Sequence, residues 1–141
     1  MRRTDSLFDA FHGKGNLKVY YSLRALNSCS NRLVELEAEH AKDRNTMLQA
    51  HMKRVYGRGQ RHPGAGGHAA LRVPGEMQVL GGNFLGAHSL ILSEQEKSLV
   101  MERGVKTCHC PFSNCGKAVP DTPQLLEMGI PGGGIVCSRA G

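Results

Sequence analysis

The chain has 141 residues, 18 Lys plus Arg against 12 Asp plus Glu, five Cys, 18 Gly and no Trp. That length suits one compact domain and falls short of a complete (β/α)8 barrel, which takes roughly 200 residues or more. No apolar run approaches the ~20 residues of a membrane span, so no membrane partner is expected. The opening MRRTDSLFDAF lacks the apolar stretch and small-residue cleavage site of a secretory signal. Cys29, Cys108, Cys110, Cys115 and Cys137 are odd in number and unevenly spaced. That pattern favours reduced thiols in a cytoplasmic chain over a disulfide framework.

Leu17 to Leu23 (LKVYYSL) has a β-rich centre and reads as a strand. Ser28, Ser30 and Asn31 then offer helix N-caps, and Leu33, Leu36 and His40 lie at helical spacing, so an amphipathic helix is expected up to about Arg44. Thr46 to Met52 reads as a short buried strand ending at His51. Lys53 to Glu76 is different in kind. It holds five of the basic residues and one acid, is rich in Gly and has no apolar periodicity. An irregular, insert-like basic segment is therefore expected over 53–76, with little apolar surface to bury. It carries no interleaved aromatic platform, so a nucleic-acid partner is not favoured.

Regular patterning resumes after it. Asn83 to Ser89 reads as a strand ending near His88. Ser93 and Glu96 form an S-x-x-E capping box for a helix reaching about Arg103, with Gly104 just beyond its end. Val105 to Cys108 is a strand, Pro111 to Asp121 a turn-rich loop, and Thr122 with Pro123 opens a short helix that Gly129 stops. Strands alternating with helices predict an α/β fold with a parallel sheet and crossover helices.

Three histidines fall at predicted strand ends: His51, His88 and His109. In parallel α/β folds ligands and metals are held at the C-terminal ends of strands, and imidazole is a common ligand for zinc and iron. Cys108, Cys110 and Cys115 make a C-x-C-x4-C cluster, but no second C-x2-C pair exists to close a zinc ribbon. The Gly-rich stretches Phe11 to Asn16 and Pro131 to Ile135 match neither phosphate-loop pattern.

Three blocks together carry a recognisable pattern: HGKGNLKVYYSLRALNSCS with the helix after it, LQAHM, and LGAHSLILSEQEKSLVMERGVKTCHCPFSNCGKAVPDTPQLLEMGIP. The A-H-S-x-x-L-S and H-C-P-x-S-N motifs in the last block resemble the chlorohydrolase and deaminase branch of the amidohydrolase superfamily, which includes methylthioadenosine/adenosylhomocysteine deaminases and guanine deaminase. The resemblance implies a C-terminal-half piece of a (β/α)8 barrel, about four or five strands in a single domain over 1–141. It also implies a metal-dependent hydrolase acting on purine- or triazine-like rings. In that family zinc or iron activates a water that attacks a ring carbon while a Glu moves protons. Carried over by position, His51 is the metal-binding residue after the fifth strand. His88 is the catalytic residue after the sixth, beside metal and substrate. Asn114 is the Asn of the S-N motif, in a structural role.

Several family features are missing. The chain has no H-x-H pair, Arg54 stands where the proton-moving Glu is expected, and the final Asp ligand falls near Cys137. With suitable codons, reading Lys53 to Tyr56 one base later gives NEYT, which restores H-x-x-E; a shifted reading frame would account for the basic segment. The expectation is a barrel fragment that is inactive alone, with metal not necessarily bound and with raw sheet edges prone to self-association. A non-catalytic remnant or interaction module is the alternative, and a basic nucleic-acid binder stands behind both.

Overall fold

The computed structural model describes residues 2–26, 29–52, 79–90, 92–114 and 121–134. The basic segment expected over 53–76 lies outside the described residues, as do Cys115 and Cys137. Element order is α1 (Arg2–Phe11), β1 (Tyr21–Ala25), α2 (Asn31–Asp43), β2 (Leu48–Met52) and β3 (Phe84–His88). It continues with α3 (Glu94–Glu102), β4 (Lys106–His109), α4 (Pro111–Asn114), α5 (Thr122–Glu127) and β5 (Gly132–Gly134). The strands form one sheet in sequential order β1-β2-β3-β4-β5, every neighbouring pair parallel. This is the α/β architecture of a partial barrel. None of the described helices is long and apolar enough to cross a membrane.

The boundaries follow local chemistry. Ser30 caps α2 by accepting from the Leu33 amide, and Ser93 and Glu96 form a reciprocal capping box on α3. Gly104 takes φ +66 just beyond the α3 C-cap, the left-handed conformation that costs glycine least. The first strand starts later than expected, at Tyr21 rather than Leu17, and β2 starts at Leu48 rather than Thr46. The side chain of Thr46 instead donates to the Val19 carbonyl, linking the segments that lead into β2 and β1. The loop expected from Pro111 opens with the short helix α4, and the Gly-rich stretch after Pro131 supplies the edge strand β5.

On β2 burial alternates. Leu48, Ala50 and Met52 are buried, while Gln49 and His51 are only partly covered. The buried set joins Phe84 of β3 against Val34 and Ala41 of α2, Val100 of α3 and Leu125 of α5. One face of the sheet therefore packs the helix layer. Between α3 and α5, the buried ammonium of Lys97 is bonded to Glu94, Asp121 and Gln124. Burial alone would lower its pKa, but the bonds to Asp121 and Glu94 outweigh that and hold it raised.

Helix α1 was not anticipated. Asp5 accepts from the Tyr21 hydroxyl at 2.7 Å and lies 2.6 Å from His40 Nε2, and Arg44 binds Asp9. Phe8 lies against Tyr21, with the Arg44 guanidinium over its ring. Tyr21 opens β1 and His40 and Arg44 close α2, so α1 is tied to the end of the sheet where β1 begins. Burial and then the Asp5 bond push the Tyr21 phenol up to about 12.

The hydrogen bonds from His40 and Tyr21 hold the Asp5 carboxyl below its usual 3.8. A depressed carboxylate contributes stability that is complete above the unfolded-state pKa and lost as pH falls through the lower folded value. Acidification below about pH 4 is expected to release α1, read as loss of amide protection in Arg2–Phe11. Asp5→Asn should weaken that protection at neutral pH and flatten its acid dependence. Protection in the Asn variant that still falls with acid as in the parent chain would contradict the assignment.

Candidate functional site

Strands β2 and β3 pair Leu48 with Phe84 through to Met52 with His88. In a parallel ladder, partnered residues face the same side. His51 is partnered with Ala87, on the face away from the helix layer. His88 is partnered with Met52, whose side chain is buried on the helix side. Alternation alone would thus put the two imidazoles on opposite faces. The backbone reverses this. His88 has φ +76 and Ser89 φ +47, two consecutive non-glycine residues in left-handed conformation where the chain leaves the sheet. Such residues cost about 1–3 kcal/mol each and persist where the surroundings hold them.

The surroundings here do so. The Ser89 amide donates to the Met52 carbonyl at 2.9 Å, and its hydroxyl donates to the Gly86 carbonyl at 3.1 Å. With the turn made, the His51 and His88 rings meet edge to face, centroids 4.7 Å apart and planes at 89°. His88 is buried, and His51 is partly covered.

A third strand end joins from β4. His88 Nδ1 lies 2.8 Å from Asn114 Oδ1, and Asn114 Nδ2 lies 2.9 Å from His109 Nδ1. Asn114 is fully buried at the end of α4, the turn that follows β4. The three strand-end histidines of the sequence therefore converge at one end of the sheet. Two meet directly, and the third is reached through an amide that sequence reasoning treated as merely structural.

Whether these residues fit a catalytic metal depends on the donor set. A catalytic zinc site takes three protein ligands and keeps a fourth position open. Among the described residues no group of three His, Cys, Asp or Glu side chains is arranged to hold an ion. The His51–His88 pair offers two imidazoles, and His109 is linked to His88 only through the Asn114 amide. The residues present do not fit a complete metal centre. Cys108 and Cys110 are buried in and just after β4 and make no such group either.

Beneath the histidines the bare Cα of Gly86 leaves room for the Met52 side chain. A Cβ on Gly86 would lie 2.6 Å from Met52 Cε and 3.3 Å from Ser89 Oγ.

No protein-family profile matches the chain. It is 25% identical over 119 residues to 5-methylthioadenosine/S-adenosylhomocysteine deaminase 2 of Archaeoglobus fulgidus, covering 83% of this chain and 29% of that protein. To 5'-deoxyadenosine deaminase of Methanosarcina mazei it is 26% identical, covering 83% of this chain and 28% of the relative. Among solved structures, guanine deaminase of E. coli superposes with TM-score 0.74 at 17% identity, over 96% of this chain and 32% of that one. The zinc complex of atrazine chlorohydrolase from Arthrobacter aurescens gives TM-score 0.68 at 16% identity, over 94% of this chain and 30% of that one. The chain thus spans under a third of the length of these proteins, and over that span it shares the fold of the two solved structures.

Gly86→Ala is expected to cost about 1–3 kcal/mol in denaturant unfolding, because a buried methyl must displace the Met52 terminus. Combined with Met52→Ala, the two costs should fall short of additive by at least ~0.5 kcal/mol. Strict additivity would show that the Gly86–Met52 contact is not the cause.

Proposed function

We propose that this chain, which resembles the chlorohydrolase and deaminase branch of the amidohydrolase superfamily in sequence and fold, carries one segment of a metal-assisted hydrolytic centre. The substrate class would be an amino- or chloro-substituted nucleobase-like ring. His51 serves as a ligand to zinc or iron, and His88 acts beside the substrate. The observation that carries this reading is the contact of the two rings at the C-terminal ends of neighbouring strands, 4.7 Å between centroids. Structural histidines have no reason to share that end, nor to hold a left-handed backbone to reach each other. The relatives named above support the reaction class, deamination or dechlorination of small heterocycles.

Alone, the chain is not a competent catalyst in this reading. Two imidazoles leave an ion mostly water-ligated, and Arg54 occupies the position three residues after His51 where a carboxylate would orient the attacking water. The five-stranded sheet also has two edges, β1 and β5, each paired on one side only among the described strands. Exposed edges of this kind favour self-association. The odd number of scattered cysteines favours a cytoplasmic setting.

The expected outcome for the isolated chain is no measurable ammonia release from adenine- or guanine-type substrates with added Zn²⁺ or Fe²⁺. Clear turnover abolished by His51→Ala would overturn the inactive reading. In a separate measurement, dialysed chain should retain zinc weakly and below one equivalent. His51→Ala should reduce that uptake several-fold while leaving the circular dichroism spectrum and unfolding midpoint nearly unchanged. Uptake indifferent to His51 would remove it from the metal site.

A further inference from the structure

Asn114 holds its amide between two imidazoles that belong to different strands. It has one acceptor, Oδ1, at 2.8 Å from His88 Nδ1, and one donor, Nδ2, at 2.9 Å from His109 Nδ1. A carboxamide oxygen only accepts and a carboxamide nitrogen only donates. His88 Nδ1 must therefore carry a hydrogen, and His109 Nδ1 must carry a lone pair. In neutral rings the other nitrogen takes the complementary state. His88 then has its lone pair at Nε2, and His109 has its hydrogen at Nε2.

We propose that Asn114 is a positioning residue that fixes His88 and His109 in opposite tautomers, giving the site a basic nitrogen from β3 and an N–H donor from β4. The side chain can enforce this because it is fully buried and its helix is anchored. The Asn114 amide donates to the Cys110 carbonyl at 2.9 Å, closing the turn between β4 and α4. The fixed state opposes intrinsic preference at His88, since a free neutral imidazole of histidine favours the hydrogen on Nε2. A ring that binds a cation or takes a proton must present a lone pair, and a hydrogen bond at the opposite ring nitrogen is the usual way to select which one. The functional meaning rests on the reading that His88 serves the site; the tautomers themselves do not.

The test is two-bond proton–nitrogen correlation of the histidine rings in the metal-free full-length chain at a pH where they are neutral. The parent chain should show His88 as the Nδ1–H form and His109 as the Nε2–H form. Asn114→Asp keeps an acceptor toward His88 but replaces the donor toward His109 with a second acceptor. It should leave His88 unchanged and move His109 to the Nδ1–H form. Asn114→Ala should release both rings, with the His88 Nδ1–H signature lost in favour of Nε2–H. His88 as Nε2–H in the parent chain, or both rings in the same tautomer, would overturn the proposal. So would Asn114→Asp leaving His109 as it was. If the Ala variant does not fold, the parent chain and the Asp variant decide alone. Because no metal enters the measurement, its failure is distinct from a failure of zinc uptake to depend on His51.

Discussion

A parallel strand presents its residues alternately to two faces, and at the end of β3 that rule has to be broken for a site to exist. His88 is in register with Met52, a core residue of the helix-facing side, while His51 is in register with Ala87 on the other side. The left-handed backbone at His88 and Ser89 turns the imidazole across to meet His51. The hydrogen bonds of Ser89 to Met52 and Gly86 hold the turn, and the missing side chain at Gly86 leaves room for the Met52 terminus beneath it. Strain, close packing and ring contact are thus one arrangement. Strain of this size is tolerated where surrounding packing compensates it, and it concentrates at functional sites.

The rest of the molecule divides by sheet end. At the end where the strands begin, α1 is fastened to β1 and α2 by Asp5, Phe8 and Asp9, a set of polar and ring contacts that involves none of the strand-end histidines. Between the helices, Lys97 is sequestered among Glu94, Asp121 and Gln124, which fixes α5 against α3. A buried ammonium without those partners would be costly, so loss of either Asp121 or Glu94 would be felt in this packing. That docking bears on the site, because α5 leads into β5, the neighbour of β4. Asn114 then links the β4 side to His88.

Much of this was legible in the sequence. The capping box at Ser93 and Glu96, the glycine at 104 and the apolar alternation of LQAHM announce their elements because each is a local signal. The positions of His51 and His88 on neighbouring strands followed from the short apolar runs that each one ends and from the family resemblance. The contact between their rings did not follow from alternation, which separates them; nothing in A-H-S signals a left-handed histidine. The role of Asn114 was equally hidden, since its partner His88 lies 26 residues away and only the fold brings them together. Helix α1 was missed for a simpler reason. Leu7, Phe8 and Phe11 stand at helical spacing, but three apolar residues among Arg2, Arg3, Asp5 and Asp9 make a short, weak periodic signal. The Gly-rich strand β5 has no side chains from which to read a pattern.

In the proposed function the metal ligand is the imidazole of His51, with His88 beside it, and not a cysteine around β4. X-ray absorption at the zinc edge of the zinc-loaded chain measures the ligands directly. The expected result is imidazole nitrogen scattering at about 2.0–2.1 Å, with oxygen making up the remaining coordination. Sulfur scattering at about 2.3 Å, reporting thiolate ligation by Cys108 or Cys110, would contradict it.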